Sequence, residues 1–151
     1  MRIQLDDLTG PEIAALLQEH LNDMNAVSPP ESKHALDLKG LKASDISFWT
    51  LWQQQQLAGC VALKQLNTRQ GEIKSMRSAS AFRGQGIGKV LLQHVISEAK
   101  NRGYQQLYLE TGAMDYFAPA RSLYRSFGFE SCAAFAQYKE DANSVFMLLQ
   151  L

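Results

Sequence analysis

Three glycines at alternate positions, Gly84, Gly86 and Gly88, stand immediately before a run with helical periodicity that begins near Lys89. No other stretch limits the fold so tightly. Without Cβ atoms the backbone there can turn sharply, and a helix start presents unpaired N–H groups and the positive end of the helix dipole. Such a start is a ready site for a phosphate or pyrophosphate. Arg83 adds a cation that can pair with a phosphate oxygen. The stretch Arg83-Gly84-Gln85-Gly86-Ile87-Gly88-Lys89 therefore reads as a loop that holds a phosphorylated ligand.

Two phosphate loops can be tested against it. A P-loop needs Ser or Thr after its Gly-Lys to reach magnesium. Here Gly88-Lys89 is followed by Val90, and no glycine stands five residues before Gly88, so that reading fails. A dinucleotide fingerprint needs G-x-G-x-x-G after a buried apolar strand. The spacing here is G-x-G-x-G, and the residues from Ser78 to Phe82 are polar and small rather than a Val/Ile run. Glu110 stands at the end of the next strand, where a ribose-binding acid would be, so on the residues alone a nucleotide-binding protein or oxidoreductase stays open.

Charge and composition exclude several partners. Fifteen basic and fifteen acidic residues cancel, which gives no field for nucleic acid or an acidic membrane. No apolar run approaches the length of a membrane span, and Met1 to Asp6 lacks the apolar core of a signal peptide, so a cytoplasmic protein is expected. Cys60 and Cys132 have no metal-ligand spacing and sit among apolar residues, as two buried free thiols would in a reducing compartment; no metal is expected.

The 151 residues are expected to form a single domain, 1–151, with no linker or internal repeat. Arg2 to Leu5 alternates as a strand. Thr9 is placed to cap a helix, with Pro11 in its first turn and Glu12 closing a capping box, and Ser28-Pro29-Pro30 ends that helix. A shorter helix runs through His34 to Leu38 before Gly40. Strands follow over Ile46 to Gln53, Leu57 to Leu66 and Glu72 to Ser78. A long helix spans Gly86 to about Arg102, with Gly103 as its stop. Then come a strand from Gln106 to Glu110, a helix from Ala118 to Phe127 and a strand from Val145 to Leu151. This order predicts an α/β protein with a central mixed sheet flanked by helices.

The pattern R-x-x-G-x-G, met by Arg83, Gly86 and Gly88, resembles the coenzyme A pyrophosphate loop of the GNAT family, the GCN5-related N-acetyltransferases. A second block agrees with it: Ala120, Leu123 and Tyr124 followed by Gly128-Phe129 look like that family's A-x-x-L-Y…G-F motif, with one strand between the two blocks. The resemblance covers roughly residues 46–132. The segment Ser28 to Ser32, Ser-Pro-Pro-Glu-Ser, is similar to one in a small bacterial subgroup of that family. The resemblance implies a GNAT-like twisted sheet and acetyl-CoA as acetyl donor. It also implies a small-molecule or peptide amine as acceptor and direct attack in a ternary complex, with a homodimer left open. A non-catalytic acyl-CoA-binding sensor would share the same loop.

The same resemblance assigns the site residues. The loop from Arg83 through Gly84, Gln85, Gly86, Ile87 and Gly88 to Lys89 would hold the pyrophosphate. Backbone groups of Met76, Arg77 and Ser78 would hold the pantetheine arm, the neighbouring strand being splayed away there. Ala120 would face the coenzyme sulfur, and Phe117 stands where the family often has an asparagine that bonds the pantetheine. Tyr124 would protonate the leaving thiolate, a task suited to a phenol whose ordinary pKa is about 10. Glu72 would be the general base, on one strand face with Met76 and Ser78 by even spacing, or a charge paired with Lys74. Glu110 and His34 are its rivals. Glu31, His34 and Glu110 are the expected acceptor contacts; Trp49 and Trp52 face opposite sides of one strand, so at least one is core. The family commonly has Val and Pro where this chain has Ser78 and Ser80.

Overall fold

The structure is a computed structural model and describes residues 1–28 and 38–151. Strand β1 (Arg2–Leu5) leads into α1 (Pro11–Val27) and α2 (Leu38–Leu41). Three antiparallel strands come next: β2 (Ile46–Gln53), β3 (Gln56–Gln65) and β4 (Gln70–Ser78). Helix α3 (Ile87–Asn101) crosses over to β5 (Gln106–Gly112), then α4 (Ala118–Ser126), β6 (Glu130–Cys132) and β7 (Ser144–Gln150) complete the chain. The strands form one seven-stranded sheet in the order β1-β2-β3-β4-β5-β7-β6. Among the described residues only β4 and β5 are parallel, which makes the sheet mixed, as the element order predicts.

Each face of the sheet is covered by helices whose apolar positions recur at helical spacing. Ile87, Leu91, Leu92, Val95 and Ala99 of α3 pack on Leu51, Val61, Leu63, Ile73, Leu107 and Leu109. On the other face Ile13, Leu16 and Leu17 of α1, with Leu41, cover Phe48, Cys60 and Ala62. Gly59 lets α3 sit close: a Cβ there would lie 2.6 Å from the Arg77 carbonyl oxygen and 2.8 Å from Ile87 Cγ2. The β2–β3 turn is made by Gln54 and Gln55, both left-handed at φ 51° and 66°.

Two irregularities of the sheet bear on the site. First, β4 pairs with β5 only from Gln70↔Gln106 to Ile73↔Leu109. Beyond Ile73 the two strands part, and the β5 edge from Glu110 to Gly112 is paired on its β7 side alone. Second, β4 bulges at Ser75, whose φ is 51°, so that Lys74 faces Ala62 while Arg77 faces Cys60. An extra residue in one strand reverses the alternation of its side chains. Glu72, Lys74 and Arg77 therefore share the α1 face, whereas Met76 packs with the α3-side core. The expected grouping of Glu72 with Met76 and Ser78 is wrong for this reason.

Other expectations also change. Gly10, not Thr9, is the N-cap of α1, and no side chain caps it. Thr9 instead turns back to Asp7, donating its hydroxyl at 2.6 Å. Of the helix expected over His34 to Leu38, all but Leu38 lies outside the described residues, and α2 runs from Leu38 through Gly40 to Leu41. Cys132 is half-buried, Cys60 fully so, and neither is in a disulfide. Strand β6 is too short at three residues to show a period, and only its pairing with β7 defines it.

Candidate active site

The glycine loop leaves β4 through a single 3-10 turn, Ser80–Phe82. Gly84 and Gly86 then take left-handed conformations, φ 76° and 81°, with Gly86 as the N-cap of α3. Nothing crowds either α-carbon, so glycine is needed there for its φ rather than for space. The first intrahelical bond runs from the Val90 N–H to Gly86 O at 3.1 Å, which leaves the N–H groups of Ile87, Gly88 and Lys89 without helical partners. Ile87 is buried, so only its backbone can face a ligand. Lys89 is exposed; Arg83 is half exposed and lies 3.3 Å from Asp23 of α1.

Where β4 and β5 separate, a cavity of about 110 Å³ opens between the faces of the sheet. Met76, Phe117, Ala120, Tyr124, Glu72 and Glu110 all line it. Arg121 fixes α4 against the end of β5 by donating to the carbonyls of Gly112 and Met114 at 2.6 and 2.9 Å. A Cβ at Gly112 would overlap the Phe117 ring, so the glycine lets that ring lie flat on the strand. Tyr124 is only 7% exposed and stacks edge-on with Phe129 at 5.8 Å. Burial, with the nearby Glu110 carboxyl, pushes its pKa up, so it remains a phenol. Its hydroxyl has no hydrogen-bond partner among the described residues and is free to serve a ligand.

The two carboxylates differ. Glu72 is 2% exposed and accepts a hydrogen bond from the Tyr138 hydroxyl at 2.6 Å and another from Lys74 Nζ at 3.3 Å. Lys74 also donates to the Tyr138 oxygen at 2.8 Å, closing a triangle. Glu110 is pushed up to about 7 by burial. Glu72 is held by two hydrogen-bond donors, whereas Glu110 is poised to exchange a proton near neutrality.

Arg77 contributes its side chain elsewhere. Its guanidinium donates to Glu19 at 2.7 Å and to Asp23 at 2.6 Å, tying β4 to α1. Asp23 also meets Arg83 and accepts from the Tyr116 hydroxyl at 3.2 Å, while Ser80 bonds Glu19. Burial and the neighbouring Arg77 push His20 down to about 4, so this imidazole is neutral. Beyond the Glu72–Lys74–Tyr138 triangle lies a larger, open cavity of about 1190 Å³, walled by β3, β4 and the β6–β7 connection.

Most of the expected coenzyme residues thus fall at two places. Arg83 to Lys89 form the helix start, and Met76, Phe117, Ala120 and Tyr124 line the opening with both carboxylates. Arg77 can offer that opening only its backbone, because its side chain is committed to α1. Ser78 pairs with Gly59 on β3. Glu31 and His34 lie outside the described residues. Trp49 is core, packed on His94 at 5.1 Å, and Trp52 donates its indole N–H to Thr50; neither lines the two cavities around Glu72. Sequence reasoning missed Tyr138, Arg121 and Asp23. Tyr138 lies in a connection without periodicity, 66 residues from Glu72, and no local signal marks it.

Comparison with known proteins bears on the family. The model of the acetyltransferase (GNAT) family matches residues 13–129. The chain belongs to that family. It is 54% identical over 151 residues, the whole of both chains, to YsnE, an uncharacterised N-acetyltransferase of Bacillus subtilis (strain 168). It is 42% identical over 149 residues to YedL, an uncharacterised N-acetyltransferase of Escherichia coli (strain K12), covering 99% of this chain and 94% of that one. A GNAT family acetyltransferase from Elizabethkingia anophelis, crystallised with acetyl-CoA bound, shares the fold with a TM-score of 0.70 at 20% identity, over 99% of this chain and 97% of that one. The chain is an acetyl-CoA-dependent N-acetyltransferase. Among the described residues no helix is long and apolar enough to cross a membrane, and no group of three His, Cys, Asp or Glu side chains is placed to hold a metal ion.

Proposed function

We propose that the acetyl group passes directly to a small-molecule or peptide amine in the opening between β4 and β5, with Tyr124 as acid and Glu110 as base. One observation carries this reading: a small cavity lined by Tyr124, Glu72 and Glu110, which shares Glu72, Lys74 and Tyr138 with the larger cavity. Acetyl-CoA supplies the activated acyl carbon. The N–H groups at the start of α3, with Arg83 and Lys89, hold the pyrophosphate. The unpaired β4 edge from Met76 to Ser78 holds the pantetheine amides. Glu110 takes a proton from the amine, whose nitrogen forms the new bond to the acyl carbon. As the carbon–sulfur bond breaks, Tyr124 gives its proton to the departing sulfur.

Glu72 has the weaker claim as base, because Tyr138 and Lys74 both stabilise its anion. It keeps negative charge beside the acceptor amine.

Thiol release from acetyl-CoA, followed across amino acids, polyamines, peptides and amino sugars, tests the reading. Turnover with at least one amine class is expected. Tight acetyl-CoA binding with no thiol release in any arm would make the protein a coenzyme sensor instead.

A further inference from the structure

The strand register sets three side chains in a row across the sheet. Lys64 of β3 faces Glu72 of β4, and Glu72 faces Tyr108 of β5. All three line the larger cavity. Directly opposed cross-strand side chains have Cβ atoms roughly 5 Å apart. An anion and a cation at that spacing suit a ligand whose own amine and carboxylate are separated by one carbon.

The charges in this cavity are unequally available. Lys74 is committed to Glu72 and Tyr138. Glu140 accepts the Ala134 N–H at 2.5 Å and Asp141 the Asn143 N–H at 2.8 Å, so both acids serve their own connection. Lys64, half-buried, makes no hydrogen bond or ion pair among the described residues. An ammonium on this wall with no hydrogen bond or ion pair of its own can pair with a carboxylate that a ligand brings. The exposed Lys139 adds a second cation, and the exposed Asp45 is the remaining acid on this lining. An anionic group on the acceptor is therefore matched better than a chain of ammonium groups.

The rest of the wall is aromatic. Tyr108 stacks on Phe135 with centroids 4.7 Å apart, and Phe135 meets Tyr138 at 5.0 Å. Such ring faces favour an apolar or aromatic body.

We infer that the acceptor is a free α-amino acid with an aromatic or large apolar side chain, its carboxylate held by Lys64 and its side chain laid against Tyr108 and Phe135. The inference rests on the acetyl-transfer reading above and names the amine for it. Lys64 is a specificity residue and takes no proton in the reaction.

The test compares kcat/KM for phenylalanine, leucine and methionine with phenylalaninamide, spermidine and glucosamine under saturating acetyl-CoA. The free acid should exceed its amide by about tenfold or more, the value of one charge-assisted hydrogen bond. In Lys64→Met the acid-to-amide ratio should fall toward one, mainly through KM for the acid. If that variant does not fold, the comparison on the unaltered protein decides alone. An amide as good as the acid, or spermidine or glucosamine turned over while amino acids are inert, overturns the acceptor class and leaves acetyl transfer standing. No thiol release with any amine, despite acetyl-CoA binding, overturns acetyl transfer itself and this inference with it.

Discussion

Tyr124 holds its proton strongly because it is buried beside a carboxyl, and it donates to the developing thiolate only when that sulfur is close. Replacing it with Phe keeps the ring against Phe129 and removes the hydroxyl alone. Tyr124→Phe should lower kcat by about 10²–10⁴, the usual worth of general acid catalysis, with acetyl-CoA affinity by calorimetry nearly unchanged. Glu110 gives a second prediction at this scale. Its carboxyl is raised from 4.5 to about 7. As the base it must be ionised, so turnover should rise with pH through about 7, and Glu110→Gln should lose both the rate and that rise. The linked stability has the opposite slope. A folded-state pKa above the unfolded one means stability is full below about 4.5 and falls as pH rises to about 7. Glu110→Gln should therefore raise Tm by a few degrees at about pH 8 and much less at about pH 4. The glycine loop and Tyr124 were legible because each repeats a short pattern with a mechanical reason. Tyr138 was not, because its role exists only once β7 brings its connection against β4.

At the scale of elements, long segments are legible, since α3 buries one face and the central strands β2 and β3 bury both. The errors came where a single residue breaks a period. The left-handed Ser75 inserts the bulge that sends Arg77 to the α1 face, and nothing in Lys74-Ser75-Met76 announces it. Leu8 is likewise left-handed, and the Asp6 and Asp7 carboxylates take the N–H groups of Leu8 and Thr9, which displaces Thr9 from the cap position. The contact between α3 and β3 carries a sharper test. Gly59→Ala places a methyl 2.6 Å from the Arg77 carbonyl and 2.9 Å from Leu91 Cδ1, and the carbonyl cannot move without shifting β4. A loss of about 1–3 kcal/mol in denaturant unfolding is expected, with weaker coenzyme binding because the helix start moves with α3.

For the molecule as a whole, ligand binding should appear as stability. Acetyl-CoA at a hundred times its Kd adds about 2.7 kcal/mol, which for a domain of this size corresponds to roughly 5–10 °C in Tm. NAD and ATP should give much smaller shifts; equal ones would detach the glycine loop from coenzyme A. The parting of β4 from β5 has a mechanical consequence as well. The first four strands and the last three meet along one seam of four residue pairs, Gln70↔Gln106 to Ile73↔Leu109, while the neighbouring β3–β4 and β5–β7 pairings run longer. That seam is where thermal breathing should concentrate, and its amides should trade hydrogen for deuterium faster than those inside either half. A coenzyme seated in the opening bridges the halves like a rivet at the free end of a zip. Bound acetyl-CoA should slow exchange most along Leu107 to Gly112, strands away from the pyrophosphate loop.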